Sequence, residues 1–107
     1  MNLRSDLAPI VEWIKPNSRV LDLGCGEGML LAHLREQHGV RGYGMEIDPQ
    51  NVANCIAAGV NVIQGDIDAG LTDFETASFD HVVMTQALQA LQRPDEAIAE
   101  ILRVGRT

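Results

Sequence analysis

The stretch from Val20 to Leu30, VLDLGCGEGML, constrains this chain more than any other: an apolar run, broken by one aspartate, closes on three glycines at alternate positions. An apolar run of this length reads as a buried strand, and the leucines that follow read as a helix. Between them Gly24, Gly26 and Gly28 let the backbone turn sharply and offer bare N–H groups at the positive end of a helix dipole. That design suits a nucleotide lying against the backbone. A dinucleotide loop places its third glycine three residues after the second. Here it comes two after, and Met29 takes the dinucleotide position.

The rest of the chain repeats the alternation of strand and helix. Leu7, Ile10, Val11 and Ile14 recur at helical spacing behind the caps Ser5 and Asp6, and Pro16 stops that helix. A strand is predicted over 19–23, a helix over 27–38 closed by Gly39, and a strand over 40–47 whose Gly42 and Gly44 suggest close approach of backbone or ligand. Asp48-Pro49 is a capped start for a helix carrying Val52, Ala53, Ile56 and Ala57 on one side. A third strand over 60–63 precedes a loop over 65–78 pinned by Ile67, Leu71 and Phe74. The fourth strand spans 79–85, a short helix 86–91, and a last helix starts at Pro94, with Ala97, Ile98, Ile101 and Leu102 facing inward and Gly105 at its end.

Alternating elements of this kind make an α/β protein with a parallel sheet. Right-handed crossovers put the first three strands in the order 3-2-1 and the fourth on the other side of the first, giving four parallel strands, 3-2-1-4, with flanking helices. Ligands bind at the switch point this creates, above the carboxyl ends of the strands.

Charge narrows the partner. Fifteen acidic residues (Asp+Glu 15) against eight basic (Lys+Arg 8) leave a net charge of −7, which disfavours nucleic acid, whose phosphates require Lys and Arg. No signal peptide or membrane-spanning run is legible, so a cytoplasmic protein with no membrane partner is expected. Cys25 and Cys55 lack paired spacing and read as reduced thiols, and His33, His38 and His81 are too scattered for a metal site. The 107 residues make one domain.

Chemistry converges on a few positions. Glu46, at the end of the second strand, falls in the window expected for a carboxylate on ribose hydroxyls. Asp66 could accept from an exocyclic amine while Ile67 packs on a flat base. Asp22, a carboxylate inside an apolar strand, must orient the glycine loop or face a ligand ammonium, since a lone buried charge is costly. Thr85, Gln86 and Gln89 make a polar edge past the fourth strand. Cys25 reads as a small loop residue, His81 as a hydrogen-bonded residue on one sheet face and Trp13 as packing of the first helix.

Together VLDLGCGEG, GMEID, QGDI and SFDHVVMTQAL resemble the class I S-adenosylmethionine-dependent methyltransferases. The resemblance implies a Rossmann-like fold and S-adenosylmethionine as cofactor. It places Gly24 and Gly26 against the methionine moiety, Glu46 on the ribose, and Asp66 with Ile67 at the adenine. The cofactor-binding set is then Asp22, Gly24, Cys25, Gly26, Gly28, Glu46, Ile47, Asp66, Ile67 and Thr85, with no catalytic residue assigned. Longer stretches, RGYGMEIDPQNVANCIAAGVNVIQGDIDAGL, MTQALQAL and EILRVGR, are similar to the MetW family of methionine biosynthesis. That family implies a role beside a homoserine O-acyltransferase. An active methyltransferase of unknown acceptor is the alternative, and an NAD-binding oxidoreductase a weaker one. Class I methyltransferases have seven strands, so the resemblance also implies a truncated fold that continues past Thr107. An open edge on the fourth strand is then expected to favour self-association.

Overall fold

The computed structural model describes residues 8–69, 71, 74–84 and 92–105. Its elements are α1 (Ala8–Trp13), β1 (Arg19–Leu23), α2 (Met29–His38), β2 (Arg41–Glu46), α3 (Pro49–Ala57), β3 (Asn61–Gln64), a single 3-10 turn (Ile67–Ala69), β4 (His81–Met84) and α4 (Pro94–Val104). The strands form one parallel sheet in the order β3-β2-β1-β4, as the alternation of elements predicts. Register pairs Leu23 with Met45 and with Met84, and Glu46 with Gln64, so the carboxyl ends of all four strands share one rim. The proposed caps Ser5 and Asp6, Thr85 and the short helix over 86–91 lie outside the described residues.

Alternation along β1 divides the interior. Val20 points to one face, where Ile14, Leu30, Leu31, Ala32, Leu34, Val40, Cys55 and Val60 gather from the α1, α2 and α3 side. Leu21 and Leu23 point to the other, with Met45, Ile67, Leu71, Phe79, Ala97 and Val104. Phe79 is the hub of this second core, edge-on to Tyr43 and Phe74 at centroid distances of 5.8 and 5.3 Å. The pinning residues Ile67 and Leu71 are buried there as predicted, and Phe74 packs against it.

Local chemistry explains the helix ends. Asp48 accepts Gln50 N–H at 2.9 Å with Pro49 in the first turn, and Gly39 closes α2 at φ 64. The start of α2 moves from Glu27 to Met29 because Gly26 and Gly28 hold left-handed φ values of 58 and 84, which no helix continues. Gly105 ends α4 differently, with extended backbone that forms a parallel bridge to Phe79.

Three inward faces differ from the sequence reading. In α3 the buried side chain is Cys55, whereas Ala53 and Ala57 are exposed and Ile56 is 65% exposed. In α4 it is Ala97 and Val104, with Ile101 partly buried, whereas Ile98 and Leu102 face out, the latter 70% exposed. The buried line falls on Cys55 in α3 and on Ala97 and Val104 in α4, which leaves Ile56, Ile98 and Leu102 outside it. Trp13 does not pack α1: it is 83% exposed at the helix's last position. The strand glycines also have a different cause. A side chain at Gly42 would meet Leu31 at 2.8 Å and one at Gly44 would meet Cys25 Sγ at 2.5 Å, so they make room for side chains of the first core rather than for backbone or ligand. Among the described residues no helix is long and apolar enough to cross a membrane.

Candidate functional site

The site is built at the rim where β1, β2 and β3 end. The glycine loop leaves β1 and is at once tied to β2, with Gly24 and Cys25 N–H both donating to the Met45 carbonyl at 2.8 and 3.2 Å. Its third glycine is required on two counts. Gly28 sits at φ 84, and a Cβ there would lie 3.0 Å from Cys55 Sγ and 3.1 Å from Val60. A bare turn is therefore forced by the backbone conformation as well as by packing beneath the loop.

Glu46 organises the rim. Its Oε1 accepts Gly26 N–H at 2.8 Å, its Oε2 accepts Asp48 N–H at 3.1 Å, and its carbonyl accepts Gly65 N–H at 3.0 Å. One residue thus joins the glycine loop, the cap of α3 and the loop after β3. Each carboxylate oxygen can accept more than one hydrogen bond, so acceptor capacity remains for a pair of hydroxyls. Ile47 follows it with its side chain exposed. Across the rim Asp66 Oδ1 accepts Asp68 N–H at 2.9 Å, and Ile67 turns into the second core.

Asp22 lies beneath the loop, 1% exposed, and its Oδ1 has no hydrogen-bond partner among the described residues. Burial raises its pKa from the ordinary carboxylate range to about 7, and the Glu46 charge adds to the rise. A buried oxygen without a donor is uncommon in a folded chain, and it marks Asp22 as the residue of β1 whose polar group packing alone does not satisfy.

Sequence reasoning missed one contact altogether. Cys25 and Cys55, thirty residues apart in the chain, meet with their sulfurs at 3.7 Å, and Cys55 Sγ donates to the Gly26 carbonyl at 3.1 Å. Both are free thiols. Burial, and for Cys25 the neighbouring thiol, push both above the ordinary thiol range, which fits Cys25 as a loop residue rather than a nucleophile. No local spacing signals such a pair, because it forms only when α3 packs under the loop.

The structure therefore brings together Asp22, Gly24, Cys25, Gly26, Gly28, Glu46, Ile47 and Asp66 of the anticipated set, whereas Ile67 follows Asp66 in the chain with its side chain buried in the second core. Thr85, Gln86 and Gln89 lie outside the described residues. His81 Nε2 accepts Lys15 N–H at 3.4 Å, at the opposite end of β4. Among the described residues no three His, Cys, Asp or Glu side chains cluster as a metal site would need.

Comparisons with known proteins place this geometry. The chain of the complex between the Haloferax volcanii Trm112 methyltransferase activator and a methyltransferase that it resembles is 32% identical with a TM-score of 0.79, over 87% of this chain and 42% of that one. A methyltransferase from Archaeoglobus fulgidus, at 24% identity, shares the fold with a TM-score of 0.83 over 94% of this chain and 46% of the other. In sequence, the bifunctional methionine biosynthesis protein MetXA/MetW of Rhodopirellula baltica is 38% identical over 99% of this chain and 18% of its own length. The ribosomal protein L11 methyltransferase of Methylobacillus flagellatus is 30% identical over 92% of this chain and 34% of its own. The chain thus spans about a third or less of these two curated relatives. The sheet order, with helices on both faces, is that of the class I methyltransferases. The profile of the family described as methionine biosynthesis protein MetW matches residues 4–107, and the chain belongs to that family.

Proposed function

We propose that residues 1–107 form one domain that binds S-adenosylmethionine across the ends of β1, β2 and β3 and supports a homoserine O-acyltransferase in methionine biosynthesis. The observation that carries the cofactor half is Glu46, a buried carboxylate fixed by Gly26 and Asp48 N–H at the end of β2 with acceptor capacity left for two ribose hydroxyls. The donor set fits the rest of the molecule. Asp22 Oδ1 offers a buried acceptor for an ammonium group beneath the loop, and the Asp66 carboxylate offers one for an exocyclic amine. When bound, the cofactor supplies a sulfonium whose methyl group is electrophilic. The partner half is supported by family membership and by the relative whose name joins MetXA and MetW in one protein. Such fusion holds two functions at high effective concentration.

Calorimetric titration of S-adenosylmethionine and NADH into the chain, with Glu46→Ala alongside, tests the cofactor. Saturable binding of S-adenosylmethionine, weakened at least about tenfold by the substitution, is expected, since a hydrogen-bonded charge contributes about 1.5–3 kcal/mol. Binding of NADH instead would overturn the reading. For the partner, acyltransferase rates are measured with and without the chain, and an unchanged rate in a stable complex would count against support.

A second reading, an active methyltransferase, is favoured by the likeness to methyltransferases in sequence and fold. Alignment alone can drive transfer to a good nucleophile, so the absence of an assigned base leaves it open. Labelled methyl groups leaving the cofactor for a component of a cell extract would establish it. On either reading we also propose association of copies along β4. Sedimentation showing only monomer at high concentration would refute that.

A further inference from the structure

Asp68 makes contacts that cofactor binding does not require. Its carboxylate accepts Gln92 N–H at 3.1 and 3.0 Å, on Oδ1 and Oδ2, and Arg93 N–H at 3.0 Å on Oδ1. These donors lie 24 and 25 residues along the chain, at the entry to α4. Among the described residues the helix has no other side-chain cap there: Arg93 stands at its N-cap with no side-chain capping bond, and Pro94 has no N–H to offer. Asp68 is itself held by the cofactor rim, since its own N–H donates to Asp66 Oδ1 at 2.9 Å. The 3-10 turn between them plants Ile67 in the second core beside Ala97 and Val104 of α4.

We infer that Asp68 is a positioning residue that transmits occupancy of the rim at Asp66 to the entry of α4. The inference rests on the reading of Asp66 as a cofactor contact. A ligand donor on the Asp66 carboxylate fixes the Asp66–Asp68 turn, and the turn aims the Asp68 carboxylate at Gln92 and Arg93. These two residues follow directly on the segment in which the sequence places Gln86 and Gln89, so the entry of α4 is where a partner or acceptor would sense whether cofactor is bound.

The same loop carries its own control. Farther along, Leu71 N–H donates to Glu100 Oε2 at 3.1 Å and Arg103 Nη2 donates to the Leu71 carbonyl at 2.8 Å, clasping the loop to the distal half of α4 without touching the Asp66 turn. If any tie between loop and helix conveyed the signal, both clasps would matter.

The test is hydrogen exchange of the full chain with and without S-adenosylmethionine, in wild type, Asp68→Ala, Asp68→Asn and Glu100→Gln. In wild type, cofactor is expected to slow exchange at the 66–68 turn and, by about fivefold, at the start of α4, the low end of coupling between sites. In Asp68→Ala binding and the response of the turn persist while the response of α4 disappears. Asp68→Asn, which keeps an acceptor oxygen, restores part of it, and Glu100→Gln leaves it intact. An α4 response that survives in Asp68→Ala, or is lost equally in Glu100→Gln, overturns the inference. So does a wild type that binds cofactor with α4 silent. A wild type that binds no cofactor removes the underlying reading as well, and the titration separates that case from the others.

Discussion

The two faces of the sheet are held by different means. On the side of α1, α2 and α3, strand and helix come so close that Gly42 and Gly44 must lack side chains, and the fit is made by Leu31 and Cys25 occupying the space. On the side of α4, an aromatic hub at Phe79 fills the volume, and the loop after β3 is stitched to the helix by carboxylates and Arg103. The first face carries the glycine loop and is fixed by exclusion of volume. The second is fixed by large side chains and directional polar bonds, so it can respond to a change at the rim. One sheet thus carries a close-packed face and a face tied by polar bonds.

The largest effect should come from emptying the second face. Phe79→Ala is expected to cost about 3–5 kcal/mol in denaturant unfolding, the usual loss for a buried phenylalanine. A loss as small as that of a surface change would mean the hub is not what fills this face. Next comes Asp22, a buried carboxylate on the tight face. Because the Asp22 pKa is raised to about 7 in the folded chain, the native state binds more protons than the unfolded state between the ordinary carboxylate range and that value. Its contribution is complete at low pH and is lost as pH rises through about 7. Asp22→Asn should therefore be more stable than wild type by up to about 4 kcal/mol near pH 8, with the gain vanishing on acidification. A gain that ignored pH would show that ionisation is not the cause.

Overfilling the tight face should matter less than emptying the other, though more than a surface change. Gly44→Ala places a Cβ 2.5 Å from Cys25 Sγ, and a cost of about 2 kcal/mol is expected for such overpacking. Cys25→Ala in the same chain should recover part of it, since the sulfur is the nearest obstacle. Simple additivity in that double-mutant cycle would sink the steric account. The smallest effect belongs to Glu100→Gln. Hydrogen bonding to Arg103 holds the Glu100 carboxyl below its ordinary range, so the difference between variant and wild type should shrink as pH falls and the acid is protonated. Thermal melts at two pH values read this.

Much of the site was legible because its chemistry is local. The glycine loop, the Asp48-Pro49 cap and Gly39 each act within a few residues, and the strand order followed from crossover handedness. What escaped depends on distance in space. Apolar periodicity assigned Ile56, Ile98 and Leu102 to the interior, yet the buried line falls on Cys55 in α3 and on Ala97 and Val104 in α4, because which side of a helix is covered is set by the neighbours it packs on. Trp13 misled in another way, since a six-residue helix can leave its bulkiest residue outside at its end. The Cys25–Cys55 contact and the reach of Asp68 to α4 join residues more than twenty positions apart, and nothing in either neighbourhood announces them.

The buried thiol pair makes the loop its own clock. A reagent that attacks thiolates reaches Cys25 and Cys55 only when the glycine loop lifts from α3, because both are buried, hydrogen-bonded and held in the protonated form. The rate of alkylation in native buffer therefore counts openings of the cradle, and a ligand seated on the loop would lengthen the interval between them.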